Sequence, residues 1–476
     1  MKKVRTRYAP SPTGFMHVGN LRSAIFEYLI AKHNDGDFIL RIEDTDQARK
    51  VEGAVEFIYE TCHLCGLDFD EGPNNPGAYG PYTQSERLDI YNKYAHELVE
   101  KGEAYYCFCT EKRLEELRYQ AELEKRAFQY DGYCKNLTKE QIEEKIRNGE
   151  KYVIRQRMPK EGISSYEDVV FGKIVVENKI LEDQILLKSD GFPTYNFANV
   201  VDDHLMAITH VARGNEYLMS TPKYNLLYDA FGWEKPVYIH LPMVLGEDGQ
   251  KLSKRNGDAS FMDLYNDGYL PEGVVNYLVL LGWSPEGNEE IFTLDELIKI
   301  FDPKRISKSP AIFDIKKLNW VNAHYIKKLS IDKLYDITIP HLQKAYNIEN
   351  KSEEWLRHLI SIYQNHVSYG KEIVSLVSLF FNDDIKIEGE VKEFMESDSS
   401  IPSTLNVFRE EIESIALWTV DNIVTAINNT KEKTGAKGKL LYMPIRIKVS
   451  GQMHGPELPD TIYLLGKETV IKRLYN

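Results

Sequence analysis

Ala9-Pro-Ser-Pro-Thr-Gly-Phe-Met-His-Val-Gly-Asn20 follows directly on a strand-like run, Val4 to Tyr8. Pro10, Pro12 and Gly14 cannot sit in a helix interior, so the stretch reads as strand, turn, and then a helix opening at Gly19-Asn20. That geometry aims a helix N-terminus, with its unpaired N–H groups and positive dipole end, at an anion. The sequence has no G-x-x-x-x-G-K-[ST], so the cation that neutralises phosphates must come from elsewhere in the chain. Lys251-Leu-Ser-Lys-Arg255, far downstream, is the obvious supply.

Together the two segments suit the splitting of ATP. When a carboxylate attacks the α-phosphorus and pyrophosphate leaves, negative charge grows on phosphate oxygens and little proton transfer is needed. Positioned donors are then worth more than a general base. His17, Lys251, Lys254 and Arg255 are the catalytic candidates. Ala9, Pro10, Ser11, Pro12, Thr13, Gly14, His17, Val18 and Gly19 are the nucleotide-binding ones, and Gly19 lets a flat base approach the backbone. Either signature alone is more often turn or surface charge; their co-occurrence in this order reverses the odds.

The chain resembles the class I aminoacyl-tRNA synthetases and, within them, the bacterial-type glutamyl-tRNA synthetases. Besides the two signatures, the matching stretches are Leu40-Arg-Ile-Glu-Asp-Thr-Asp46, Gly66-Leu-Asp-Phe-Asp-Glu-Gly-Pro73, Gly80-Pro-Tyr-Thr-Gln-Ser-Glu-Arg87, Leu187-Lys-Ser-Asp-Gly-Phe-Pro-Thr-Tyr195, Asn199-Val-Val-Asp-Asp-His204 and Gly282-Trp283. The resemblance implies activation of L-glutamate by ATP with Mg2+, transfer to the 3′ end of tRNA(Glu), and activation that waits for bound tRNA. Whether tRNA(Gln) is a second acceptor stays open. Carried over position by position, it assigns glutamate recognition to Arg7, Ala9, Ser11, Glu43, Tyr195, Asn199 and Arg213. It also places Glu216, three residues after Arg213, beside the nucleotide; a helix there would bring the two together. Arg is the side chain best built to grip a carboxylate, being always charged and forked.

Composition agrees with a soluble enzyme. The chain has 476 residues, 42% hydrophobic, with a net charge of −14. No apolar run approaches the roughly 18 to 20 residues of a membrane span, and the N-terminus lacks an apolar signal core, so the cytoplasm is expected. Five cysteines without a secretory signal argue for reduced thiols. The acidic balance speaks against a generic nucleic-acid coat, yet cations cluster locally. Lys431, Lys433, Lys437, Lys439, Arg446 and Lys448 face only Glu432, and Lys304, Arg305, Lys308, Lys316 and Lys317 surround Phe313 and precede Trp320. Beside the resemblance, both read as tRNA backbone contacts.

Periodicity adds an outline. Strands Val4 to Tyr8 and Phe38 to Ile42 alternate with helices Asn20 to Lys32 and Gly53 to Leu64, the pattern of a parallel α/β sheet whose ligands lie at the carboxyl ends of its strands. A charged helix, Glu111 to Arg126, and β-rich text such as Tyr152-Val-Ile-Arg-Gln-Arg then interrupt it. The expectation is multidomain: an α/β Rossmann-type catalytic domain with an α+β insertion, followed by all-α anticodon-binding domains. Its parts are 1–104 and 188–245 for the catalytic domain, 105–187 for an insertion binding the acceptor arm, 246–330 for a connecting domain, and 331–476 for a helical anticodon-binding region. Monomer is the family's usual state.

Cys107-x-Cys109 and Cys134 offer three thiolates for zinc, but Asn136 stands where relatives with a zinc site have a fourth ligand. Asp131 or a water is the candidate replacement, and plain reduced cysteines remain the alternative. Cys62-His-Leu-Cys65 lies in an amphipathic helix and reads as packing. Three other functions compete: a shortened relative that glutamylates a tRNA base, a glutaminyl-tRNA synthetase with a β-barrel anticodon module, and a catalytically dead RNA-binding paralogue. The helical text after 330, with His17, Lys254 and Arg255 all present, disfavours each.

Overall fold

The computed structural model describes residues 2–12, 14, 16–46, 51–250, 252, 260–382 and 385–475. Two compact units emerge, one of residues 1–263 and 275–314, the other of 264–274 and 315–476.

In the first unit β1 (Arg5–Tyr8) leads through the Pro-rich turn into α1 (Val18–His33) and back to β2 (Asp37–Leu40), parallel to β1 with Arg5 opposite Asp37 and Tyr8 opposite Leu40. The helix begins two residues before its expected start because His17 caps it: the imidazole Nδ1 accepts the Gly19 N–H at 2.9 Å. Its apolar stripe of Leu21, Ile25, Phe26, Leu29 and Ile30 is buried. Gly36 then allows the return, since a Cβ there would lie 2.3 Å from the Val4 carbonyl oxygen. β2 stops at Leu40 rather than Ile42, which makes only a single bridge to Thr83.

Next come α2 (Ala54–Leu64), α3 (Leu88–Glu100), β3 (Ala104–Cys107), α4 (Glu111–Leu123), α5 (Lys139–Arg147), β4 (Val153–Gln156), the hairpin of β5 (Ile163–Asp168) and β6 (Gly172–Glu177), and β7 (Ile185–Leu187). α4 ends three residues short of Arg126, and Lys125 just beyond it has φ +55°. β3, β4 and β7 form a three-stranded antiparallel sheet. The chain continues through α6 (Tyr195–Leu205), β8 (His210–Gly214), α7 (Thr221–Phe231) and β9 (Val237–Leu241). β8 and β9 are parallel over their whole length, and β5 joins β9 in parallel at Asp168–Tyr238, so the hairpin extends this sheet to the order β6-β5-β9-β8. On the other side the Thr209 N–H donates to the Arg5 carbonyl at 3.0 Å, seating β1 beside β8. From β1 the chain therefore goes to one neighbour, β2, and later returns on the other side as β8. A crevice opens at such a switch point, at the carboxyl ends of the strands.

The core of this unit runs through Tyr91, Leu98, Ile154, Leu186, Phe197, Val201, Tyr224, Leu227 and Phe231. Cys62 and Cys65 are buried, Cys62 inside α2 and Cys65 at its C-cap, as their amphipathic setting led us to expect.

In the second unit every described element from 315 to 475 is helical, which removes the β-barrel alternative. Helices Ile401–Ser414, Val420–Thr434, Lys439–Ser450 and Leu458–Leu465 pack around Phe408, Ile412, Ile423, Ile427, Ile445 and Ile462. Helices Ile331–Ala345 and Glu353–Tyr363 enclose Leu334, Leu342, Leu359, Ile360 and Tyr363. No described helix is long and apolar enough to cross a membrane.

Phe408 is fully buried. Phe408→Ala should cost about 3 to 5 kcal/mol and lower the urea midpoint of the helical unit; an unchanged midpoint by circular dichroism would mean that this core is not closed.

Candidate active site

The carboxyl ends of four strands meet around a cavity of about 560 Å3. After β1 come Ala9, Pro10 and Ser11; after β2, Glu43, Thr45 and Asp46; at the end of β8, Arg213 and Gly214; after β9, Pro242 and Met243. α1 contributes Gly19, Asn20, Arg22, Ser23 and Glu27, and α6 contributes Tyr195.

Of the three arginines that line this cavity, Arg7 and Arg213 are in different electrostatic states. Arg7 is compensated: its Nε donates to Asp203 and its Nη1 to Glu27, each at 3.0 Å. Arg213 forms no ion pair with a carboxylate among the described residues. Its Nε donates to His240 Nε2 at 3.3 Å, its Nη2 donates to Thr221 Oγ1 at 2.7 Å, and Tyr217 and Tyr224 present their rings to it, centroids 5.2 and 4.7 Å away. A buried cation lacking a counter-ion is the natural seat for a substrate carboxylate. Arg22 is a second such group, which sequence reasoning missed. Its Nη2 donates to the Pro242 carbonyl, its buried Nε has no hydrogen-bond partner, and burial lowers its pKa to about 10.

Beneath the cavity floor lies a buried ion cluster. Asp203 Oδ1 takes hydrogen bonds from both Arg7 Nε and Arg41 Nη1, the latter at 2.7 Å. Arg41 also donates to Glu43 Oε1 at 2.9 Å. Asp202, next along α6, accepts from Arg87, Gln84 and Tyr91. Burial alone would raise the pKa of Asp203, but the two guanidiniums outweigh it and hold the carboxyl below its usual range. Glu27 goes the other way. Burial drives its pKa well up, Arg7 opposes only in part, and its Oε2 has no hydrogen-bond partner.

His17 lines the cavity with its tautomer set by the fold. Because Nδ1 accepts from Gly19, the proton sits on Nε2, which makes the ring a hydrogen-bond donor. Gly19 itself serves this cap, since a Cβ there would come within 3.2 Å of the ring nitrogen. Glu216 lines the cavity too, but through a different geometry from the helical spacing expected: Arg213 ends a strand and Glu216 sits in the following 3-10 turn, Asn215–Tyr217. Of the remaining sequence candidates, Pro12, Gly14, Val18 and Asn199 do not line the cavity. Asn199 instead donates to the Tyr195 carbonyl at 2.8 Å, bracing the first turn of α6. Thr13, Lys251, Lys254 and Arg255 lie outside the described residues.

The three cysteines do converge, with sulfurs within 4.8 Å of one another. Asp131 is committed elsewhere, to Arg113 and the Tyr133 N–H, and Asn136 is exposed. The fourth group present is Tyr130, whose hydroxyl lies 3.3 Å from both Cys107 Sγ and Cys109 Sγ, with the Arg155 guanidinium 4.2 Å from its ring. Hydrogen bonding with Cys134, helped by Tyr130, lowers the pKa of Cys107 and favours one thiolate in the group.

The basic clusters are partly tied down. Lys433 pairs with Glu411, and Arg305 bonds the Ser284 and Pro285 carbonyls, whereas Lys431, Lys437 and Lys439 stay exposed.

Residues 3–320 match the family of class I tRNA synthetases (E and Q), catalytic domain, and residues 333–476 match an anticodon-binding domain. The chain belongs to this class I synthetase family. It is 50% identical over 480 residues to a glutamate–tRNA ligase of Clostridium novyi, covering 99% of this chain and 97% of that protein, and 48% identical to one of Geobacillus thermodenitrificans. Among solved structures it resembles a glutamate tRNA ligase of Elizabethkingia meningosepticum in complex with its amino acid, with TM-score 0.86, 35% identity and 100% and 99% of the two chains covered.

The raised pKa of Glu27 has a stability consequence. A carboxyl protonated more readily when folded contributes fully below the usual carboxylate range and loses that contribution as pH rises through its folded value. Glu27→Gln cannot titrate, so its urea midpoint should gain on that of the wild type between about pH 5 and about pH 8. A constant difference across that range would show that Glu27 is ionised throughout.

Proposed function

We propose that this cavity activates L-glutamate with ATP and that the chain then transfers the glutamyl group to the 3′ end of tRNA(Glu). The observation that carries the amino-acid assignment is Arg213, a buried guanidinium facing the cavity with no carboxylate partner among the described residues. Two carboxylates and one ammonium define glutamate. Its side-chain carboxylate pairs with Arg213, while Glu43, fixed by Arg41, offers the negative charge that an α-ammonium needs. The other carboxylate is the nucleophile.

ATP, bound with Mg2+ as substrate, lies toward the α1 N-terminus, where His17 Nε2–H and backbone N–H groups meet phosphate oxygens. Ser11, Gly19 and Glu216 line the same space. Lys251, Lys254 and Arg255 supply positive charge for the departing pyrophosphate. Residues 105–187 receive the acceptor arm and 331–476 the anticodon, with 246–330 between them and 1–104 and 188–245 as the catalytic domain. tRNA-dependent activation and a cytoplasmic monomer complete the reading.

Arg213→Ala should weaken glutamate use by about 2 to 5 kcal/mol in kcat/KM, since it strands a buried carboxylate. Unchanged glutamate kinetics in aminoacylation would sink the assignment.

Zinc fits the insertion. Cys107, Cys109 and Cys134 would hold it, with the Tyr130 oxygen as a fourth donor. Bound there, the ion would tie β3 to the turn at Cys134 and contribute to stability rather than to chemistry. Protein purified without chelator should contain about one zinc per chain, and Cys109→Ser should lose it along with thermal stability. Metal-free protein that melts like the metal-loaded form would make these plain packing cysteines.

A further inference from the structure

Asp168 lies at the end of β5, in the hairpin that joins the edge of the sheet, yet its side chain reaches a residue that holds Arg213. Its Oδ2 faces the ring nitrogen Nδ1 of His240 at 2.7 Å and accepts the His240 backbone N–H at 3.1 Å. Its Oδ1 is fixed in turn by the Val170 and Phe171 N–H groups. His240, on β9, is fully buried. The opposite nitrogen, Nε2, lies 3.3 Å from Arg213 Nε. A guanidinium nitrogen only donates, so Nε2 must accept and the single ring proton must sit on Nδ1, directed at Asp168. Thr221 completes the arrangement: its hydroxyl donates to the Tyr217 carbonyl at 2.9 Å and accepts from Arg213 Nη2 at 2.7 Å.

We infer that Asp168, His240 and Thr221 are positioning residues that set the fork of Arg213 for a substrate side-chain carboxylate. Two acceptors take the Nε edge of the guanidinium. The end of the fork, Nη1 and the second Nη2 hydrogen, is left for the substrate. Both acceptors are uncharged, so Arg213 is oriented without being neutralised; a carboxylate in either place would compete with glutamate. The acid that fixes the imidazole stands one residue further away and lends its charge only indirectly. Selection of a carboxylate thus depends on an acceptor that is neutral, aimed and unable to rotate.

This inference rests on Arg213 as the glutamate-binding group, and the test separates the two. In aminoacylation with varied glutamate and varied ATP, His240→Asn removes the acceptor at the Nε2 position, and Thr221→Val removes the other while keeping its shape. Each should raise glutamate KM about tenfold or more, the scale of one lost hydrogen bond to a charged group, with smaller changes in kcat and ATP KM. His240→Gln can place an oxygen near the Nε2 position and should recover most of the loss. Should Arg213→Ala leave glutamate KM unchanged, the reading of the pocket fails. If Arg213→Ala raises it but His240→Asn and Thr221→Val do not, or if His240→Asn and His240→Gln shift glutamate and ATP alike, the positioning role is overturned.

Discussion

One carboxylate oxygen, Oδ1 of Asp203, receives hydrogen bonds from two arginines that belong to different strands. Arg7 comes from β1 and Arg41 from just beyond β2, so α6 is bolted under both strands whose ends shape the cavity. Removing two guanidiniums and an acid from water is expensive, and the cluster persists because nearly every polar atom in it has a partner. The exceptions are Glu27 Oε2 and Gln84 Oε1. An interior of this kind adds little net stability against an apolar core, but it fixes where charge can and cannot reside. Arg7 is already neutralised, and among the described residues the attraction for an incoming anion is concentrated on Arg213 and Arg22.

Much of this was written plainly in the chain. The Pro/Gly turn after Tyr8 has few alternatives to a strand-to-helix crossover, and the apolar stripe of α1 made that helix readable. Glu43 and Tyr195 sit in long stretches resembling one family, Arg213 was carried over from the same resemblance, and the cavity contains all three. Less was visible where a role depends on the partner across space. Nothing in Ile163–Asp168 announces that a residue of a charged hairpin will meet His240. Nor does Asn199 reveal that it braces the helix bearing Tyr195 instead of facing the cavity. The expectation that Glu216 follows Arg213 on one helical face failed because β8 ends at Gly214, after which the chain turns sharply. His17 was legible as a donor; that Gly19 makes it one was not.

Arg7 and Arg213 illustrate why residue type alone does not locate recognition. Both are buried, both line the cavity and both were assigned to glutamate by the resemblance. They differ only in whether an acid waits beside them, and that is decided by tertiary neighbours drawn from α1, α6, α7 and β9. The same contrast holds for the cysteines. Asp131 is close to the cluster in sequence and suited to it in chemistry, yet Arg113 claims it, while Tyr130 points its hydroxyl at two sulfurs.

The seating of β1 between β2 and β8 also orders events while the protein is being made. β1 leaves the ribosome first, yet its second neighbour is held by the Thr209 N–H, and β8 is in turn completed by β9, ending at Leu241. Until about half of the chain has emerged, one edge of β1 lacks its partner, and Arg7 and Arg41 lack Asp203. Vectorial synthesis therefore exposes a strand edge and leaves two arginines short of their shared acid for many seconds, a span in which chaperone capture competes with misassociation of nascent chains. The connection that creates the switch-point crevice is thus also the reason why this half of the chain cannot mature piece by piece.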